Sequence, residues 1–419
     1  MAQTLKFGNK TWATKVGSTL AYNDENGNYK PLPFAFTRST SATRVNKEGL
    51  IEVVTNDRPR IDYTDTSDGV LLLEKASTNL LPYSNDFSNS AWDKYSFGTG
   101  LIPVVTSNNA ISPDGTLNAS KVVFNTGSGT TSSDQSIIEE SVNTTSGVSI
   151  NQSVYLKGEN GGETILVRGA GGSSYTTLTL TDKWVRYDVT ETSASTLSYW
   201  AIGLRQGLGG VVINSTVTIY MYGAQFEQNS VASSYIPTQG SASTRVAETA
   251  SDSGNSEVFN DSEGVLFANI AANANDGTSR QISLSSGSSA TNKVSLIYTS
   301  TSNQIQAFIR AGGSISFNQT ITVSDLTNFN KIILKYKQDN FSLWINGFEV
   351  STDASGNAPT GLNVLDFDDA DGTSDFYGKT KEIGYYNTIL TDLELETLTS
   401  YKSWTSMVNE LNLNIIYNG

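Results

Sequence analysis

Apolar and polar residues alternate with a period of two along most of this chain, in short runs separated by Gly, Asn, Asp and Ser. Such runs read as half-buried β-strands joined by turns. The clearest, residues 216–222, sets Val217, Ile219 and Met221 on one face and Tyr220 and Tyr222 on the other, so both faces are candidates for use. Residues 154–157, 164–168 and 184–189 read as inner strands of the same sandwich, which the turn spacing places over 77–240. A second series, at 265–270, 293–298, 305–310, 331–336 and 341–347, defines a second sandwich over 263–400. Thr391 with Glu394 three residues on is a capping box that starts a short helix. The alternating Leu411, Leu413 and Ile415 predict a final strand within the tail, 401–419.

Residues 1–76 carry closely spaced turn signals: Asn26-Gly27 between Tyr22 and Tyr29, residues 46–49 between two short apolar runs, and Asp68-Gly69 ahead of 70–73. With so few apolar residues per turn, this segment is expected to form hairpins that need a neighbour, either the next domain or sister chains. Residues 241–262 belong to a small, polar, unpatterned stretch that begins near Pro237 and reads as a linker. The predicted fold is therefore all-β: two β-sandwich, jelly-roll domains behind a hairpin-rich N-terminal assembly segment, with a short helix and strand at the C-terminus.

Composition narrows the chemistry. Charged residues are only 16% of the 419, which suits strands and turns better than helices. Histidine and cysteine are both absent, which excludes Ser-His-Asp and Cys-His nucleophiles, His or thiolate metal sites, and disulfides. A formal net charge of -14 without any Lys/Arg block argues against a nucleic-acid partner. No apolar run is long enough to span a bilayer, so membrane insertion is not expected. The first six residues lack the basic-then-apolar plan of a secretion signal, so synthesis in a cytoplasm is expected.

Several passages resemble a known module. Phe36-Thr37-Arg38-Ser39-Thr40-Ser41-Ala42-Thr43-Arg44-Val45-Asn46 with Gly49, then Pro59-Arg60-Ile61-Asp62-Tyr63, Gly69, Leu71-Leu72-Leu73-Glu74 and Thr78-Asn79-Leu80 are followed by Tyr83-Ser84-Asn85-Asp86-Phe87-Ser88 and Trp92. The run closes with Tyr222-Gly223-Ala224-Gln225-Phe226-Glu227 and Ser234-Tyr235-Ile236-Pro237-Thr238. Taken in order, over about residues 30–248, these resemble a module of tailed-bacteriophage virion proteins whose jelly roll is similar to carbohydrate-binding modules. The last domain resembles a concanavalin-A-like, laminin-G-type sandwich, through Phe341-Ser342-Leu343-Trp344-Ile345-Asn346-Gly347 and Lys381-Glu382-Ile383-Gly384-Tyr385-Tyr386-Asn387.

The laminarinase-like enzymes of that second fold carry Glu-x-Asp-x-x-Glu; no Glu here has Asp two residues later, so a non-catalytic protein is expected. Rings that could stack on sugars are Trp92, Tyr95, Phe97, Tyr175, Tyr199, Trp200 and Trp344, with core or subunit-interface packing as the alternative for each. The acidic loop holding Asp366, Asp368, Asp369, Asp371 and Asp375 has the oxygen ligands of a calcium site but not EF-hand spacing, and a solvated loop is the alternative. Asn79, Asp86, Gln225 and Glu227 stand where such jelly rolls often hold one structural calcium, or where strand ends simply hydrogen-bond. No cofactor is required; a structural calcium is compatible with the chain. Arg38, Arg44, Arg60 and Arg245, set among hydroxyls, suit assembly contacts that pin the module or its sister chains, with ligand capture as the alternative.

The resemblance implies a virion protein made in a host bacterial cytoplasm, a head or tail fibre or decoration component displaying glycan-binding sandwiches to the bacterial surface. Its expected partners are bacterial surface glycans, other capsid or tail proteins, and two copies of itself in a homotrimer. The rival readings are a purely structural decoration protein and a polysaccharide depolymerase.

Overall fold

The alternation at 216–222 extends into the strand Thr216–Glu227, the centre of one of three five-stranded antiparallel sheets among the described residues. The protein is described by a computed structural model over residues 3–169, 174–207, 215–287 and 291–411. Its chain divides into two compact units, one made of Ala42–Val53 and Ala76–Val246 and the other of Met1–Ser41, Val54–Lys75 and Ala247–Gly419.

In the first unit, one sheet runs in the order Leu101–Ile111, Leu117–Asn125, Thr216–Glu227, Ser149–Gly158, Val185–Thr192. The other runs Asp93–Phe97, Gln135–Asn143, Leu197–Arg205, Thr164–Arg168, Tyr175–Thr179. The inward faces share a core that includes Phe87, Phe124, Ile138, Trp200, Ile219 and Met221. Tyr222 is buried on the opposite face with Ile51, Ala119 and Tyr235, so both faces of this strand are indeed occupied. Val185–Thr192, expected as an inner strand, lies at a sheet edge. The other edge, Leu101–Ile111, has no charged side chain and leaves Leu101, Ile102, Val104 and Ile111 more than half exposed. Ser243–Arg245, read as linker, pairs with Ser77–Asn79 and brings the two ends of the inserted segment together.

The second unit places a ten-stranded sheet against a five-stranded one, with Leu266, Ile282, Leu296, Leu334 and Tyr385 among the core residues. Residues expected as a separate N-terminal segment are structural members of this unit. Leu5–Gly8 pairs with Gly378–Tyr386 in the register Leu5↔Tyr385, and Val70–Leu73 pairs with the same strand in the register Leu71↔Thr380. The linker reading fails here as well: Thr249–Ser251 pairs with Phe34–Thr37, and Phe259 meets Tyr385 edge-on at 5.0 Å. Short isolated segments have no core of their own, so their backbone donors and acceptors are satisfied by joining an existing sheet edge. At the Asp68-Gly69 turn, Gly69 has φ +73°, and an added Cβ would stand 2.7 Å from Ile61 Cγ2.

The expected capping box is present: the Thr391 backbone N–H donates to Glu394 Oε2 at 2.8 Å at the start of helix Asp392–Thr399. That helix covers Trp344, which packs with Leu390 and Leu395. A second helix, Trp404–Glu410, ends at Leu411, where the final strand was expected to begin; the remainder of that strand lies outside the described residues.

Candidate functional site

The outward face of the sheet centred on Leu197–Arg205 is built by register. Ile138, Ile202 and Leu204 point into the core, so strand alternation sends their neighbours to the opposite side. Three rows result: Phe97↔Gln135↔Arg205; Tyr95↔Ile137↔Gly203↔Leu166; and Glu139↔Ala201↔Arg168↔Tyr175. Ala201 and Gly203 keep the middle low while long side chains rise around it. Tyr95, Phe97, Gln135, Arg168, Tyr175 and Arg205 line the resulting groove, which has a volume of about 390 Å³.

Each wall is held by a specific contact. Arg168 ion-pairs with Glu139 and lies 4.8 Å above the Tyr199 ring. The Tyr95 hydroxyl donates to Glu139 Oε2 at 3.1 Å; burial, reinforced by the Glu139 charge, pushes this phenol up to about 12, so it remains a neutral donor near pH 7. Arg205 donates from Nε to the Ser132 carbonyl at 2.8 Å and from Nη1 to the Tyr175 hydroxyl at 2.9 Å. Its guanidinium sits 5.4 Å from the Tyr175 ring centre. Phe97 is 58% exposed and meets Tyr95 edge-on at 5.6 Å. The groove thus offers aromatic faces beside guanidinium and amide donors, the combination that stacks on a pyranose and bonds its hydroxyls. None of the six lining residues is a carboxylate.

Of the rings picked out in the sequence, Tyr95, Phe97 and Tyr175 line the groove, and Tyr199 supports it from beneath Arg168. Trp92 and Trp200 are each only 2% exposed and pack against each other in the core, 5.0 Å between ring centres. Trp344 is buried under a helix. These three are unavailable to a ligand, because burying a large ring stabilises the fold more than leaving it in solvent. Gln135, Arg168 and Arg205 were missed. The signal for Arg168 was present, since it lies two residues beyond Leu166 on a strand, but which strands would flank it was not.

Arg38 and Arg60 are fully buried within the second unit. Arg38 Nη1 donates to Glu248 Oε1 at 2.6 Å. Arg60 pairs with both Glu248 and Glu74; burial by itself lowers its pKa, and Glu248 and then Glu74 more than reverse this, holding it above its usual value. Arg245 is buried in the first unit, donating to Ser233 Oγ at 3.2 Å and Ser234 Oγ at 3.1 Å. These three therefore bond within their own units and cannot reach a sister chain; Arg44 pairs with Glu52 across its own hairpin.

The five loop aspartates do not gather round a common point. Asp369 pairs with Lys293, Asp371 accepts from Thr373 Oγ1 at 2.6 Å, Asp375 accepts from the Tyr377 hydroxyl at 2.8 Å, and Asp366 accepts the Asp252 N–H at 2.7 Å. Among the described residues no group of three or more carboxylates is placed to hold a metal ion. Asp368 is buried with Oδ1 lacking a hydrogen-bond partner. Burial, then the charges of Asp366 and Asp375, push it up to about 7, and burial pushes Asp366 up to about 6. At the jelly-roll border, Glu227 is buried and accepts from Ser77, Ser233 and Gln225, while Asn79 bonds the Ala224 and Ile236 carbonyls. Both are strand-end hydrogen bonds.

No family model matches the chain, and no curated protein does. Solved structures show partial likenesses. The Ruminococcus gnavus IT-sialidase CBM40 is 16% identical, with 36% of this chain and 93% of that one covered and a TM-score of 0.30. The N-terminal CBM22-1–CBM22-2 tandem domain of Paenibacillus barcinonensis Xyn10C is 10% identical, with 75% and 99% covered and a TM-score of 0.25. A Trypanosoma rangeli sialidase is 10% identical, with 91% and 81% covered and a TM-score of 0.29. These scores lie below the level of global superposition, so the all-β sandwich fold rests on the strand topology and the function is argued from the groove.

Proposed function

We propose that this protein is a non-catalytic, glycan-binding structural component of a tailed-phage virion, a fibre or decoration protein of head or tail. The groove bounded by Tyr95, Phe97, Arg168, Tyr175 and Arg205 carries the binding half of this reading. Its lining has no carboxylate pair to act as acid and nucleophile across a glycosidic bond, which favours adhesion over cleavage. The virion half rests on the sequence resemblance over residues 30–248. Presentation as a homotrimer is supported by the uncharged edge strand Leu101–Ile111, whose exposed apolar side chains and free backbone edge suit pairing with another copy. A shallow single site becomes useful when repeated on one particle, because linked sites raise effective concentration.

The test is immunogold electron microscopy of purified virions with antibody against residues 77–240, alongside adsorption by particles carrying Phe97→Ala. Label on projecting structures with slowed adsorption is the expected result. Particles that contain the protein but remain unlabelled, or that adsorb normally with the variant, refute the adhesive reading in favour of the purely structural one.

A further inference from the structure

We infer that the groove takes a sugar acid, a pyranose bearing a carboxylate, and that Arg205 is the residue that binds this carboxylate; the inference rests on the glycan-binding reading above. Arg205 differs from the other cation in the groove. Arg168 is already neutralised by Glu139, whereas Arg205 has no acidic partner among the described residues and is held only by neutral oxygens, the Ser132 carbonyl and the Tyr175 hydroxyl. A guanidinium has five N–H donors, so three remain after these two bonds. They belong to the Nη1 and Nη2 groups, the edge that matches the two oxygens of a carboxylate.

The register fixes the spacing. Phe97 and Arg205 flank Gln135 in one row, two strand spacings apart, or roughly 9.5 Å. A sugar ring resting on Phe97 and Tyr95 can therefore extend a ring carboxylate towards Arg205, with the Gln135 amide beneath it for a hydroxyl. The stack of Arg205 on Tyr175 fixes the fork before the ligand arrives, so little side-chain entropy is lost on binding. With Arg168 offset by Glu139, the site has one uncompensated positive charge in a protein of net charge -14. That balance admits isolated carboxylates and disfavours densely charged polyanions, whose repeated charges meet the field of the whole molecule.

The test is calorimetric titration of the full-length protein with a trisaccharide bearing a single galacturonic acid on two neutral galactose residues and with its uncharged methyl ester, preceded by an array carrying acidic and neutral bacterial oligosaccharides in matched carboxylate and ester forms. The carboxylate form of the ligand is expected to bind about ten-fold or more tightly than the ester, the scale of a charge-assisted hydrogen-bonded pair, and to weaken with salt. Arg205→Gln abolishes the preference, so that acid and ester bind equally; Phe97→Ala weakens both forms and keeps the preference. Equal binding of acid and ester, or a preference that persists in Arg205→Gln, overturns the sugar-acid inference and leaves the glycan-binding reading standing. An array on which neither form of any glycan binds overturns both.

Discussion

Glu248→Gln tests the buried charge centre of the second unit with an almost isosteric change. Glu248 Oε1 accepts from Arg38 Nη1 at 2.6 Å and Arg60 Nε at 2.8 Å, while Oε2 accepts from Arg60 Nη2 and from the Glu74 N–H at 3.0 Å. Arg38 is further bonded to the Thr40 and Thr55 carbonyls at 2.8 and 2.7 Å. Two guanidinium groups face two carboxylates, Glu74 and Glu248, and the side chains of Arg38, Arg60 and Glu248 are inaccessible to solvent. The substitution leaves a net positive charge in the interior and turns an amide donor towards groups that are themselves donors. Removing one member of a buried, hydrogen-bonded ion pair costs about 3–5 kcal/mol. For a unit of this size that lowers the melting temperature by about 6–20 °C. Differential scanning calorimetry of the full chain should show the transition of this unit displaced and that of the first unit unmoved, with no recovery in high salt because the site is shielded from ions. Arg38→Met combined with Glu248→Met removes one charge of each sign and should recover part of the loss. A shift smaller than about 2 °C for Glu248→Gln, or an equal shift in both transitions, would refute the claim that this centre holds the unit together.

Three further outcomes follow from the geometry. The folded-state pKa values of Asp366 and Asp368, about 6 and about 7, lie above the usual carboxylate range, so the folded protein holds protons that the unfolded chain releases. Their contribution is complete below about pH 4 and is lost as pH rises through about 6 and about 7; melting at pH 5 should exceed that at pH 8, Asp368→Asn should blunt the fall, and a profile unaltered by the substitution would contradict this. Trp200→Ala should destabilise the first unit by about 3–5 kcal/mol, whereas Phe97→Ala should leave its melting within about 0.5 kcal/mol and act only on ligand binding; calorimetry with and without glycan separates the two. Gly69→Val should cost on the order of 1–3 kcal/mol by forcing a β-branched residue to positive φ against Ile61, which a urea titration would detect.

The strands were legible in the sequence because period-two alternation and Asn-Gly or Asp-Gly turns are local signals. Their partnerships were not. Nothing near Leu5–Gly8 announces that it pairs with Gly378–Tyr386, and a weakly apolar segment looks alike whether it is a linker or a strand supplied to a distant sheet. The same limit governed the groove. Tyr95 and Tyr175 could be picked out as rings, but what separates them from Trp92 and Trp200 is which way their strands turn and what lies two strands away. Arg205 acquires its role from the row Phe97, Gln135, Arg205, which spans more than a hundred residues of sequence and exists only once the sheet has formed.

The pairing of Leu5 with Tyr385 also dictates an order of events during synthesis. The segment Ala76–Val246 has its own core and closes on itself through Ser77–Asn79 and Ser243–Arg245, so it can fold while the ribosome is still at work. The strands Leu5–Gly8 and Val70–Leu73 must wait for Gly378–Tyr386, a delay on the order of 15–75 s at typical rates of elongation. Arg38 and Arg60 likewise remain without Glu248 until translation has passed the inserted unit. Throughout that interval the nascent chain carries unpaired strand edges, the species most prone to pair wrongly with another copy. A chain interrupted before Gly378 would leave the edges of Leu5–Gly8 and Val70–Leu73 without the strand that pairs them.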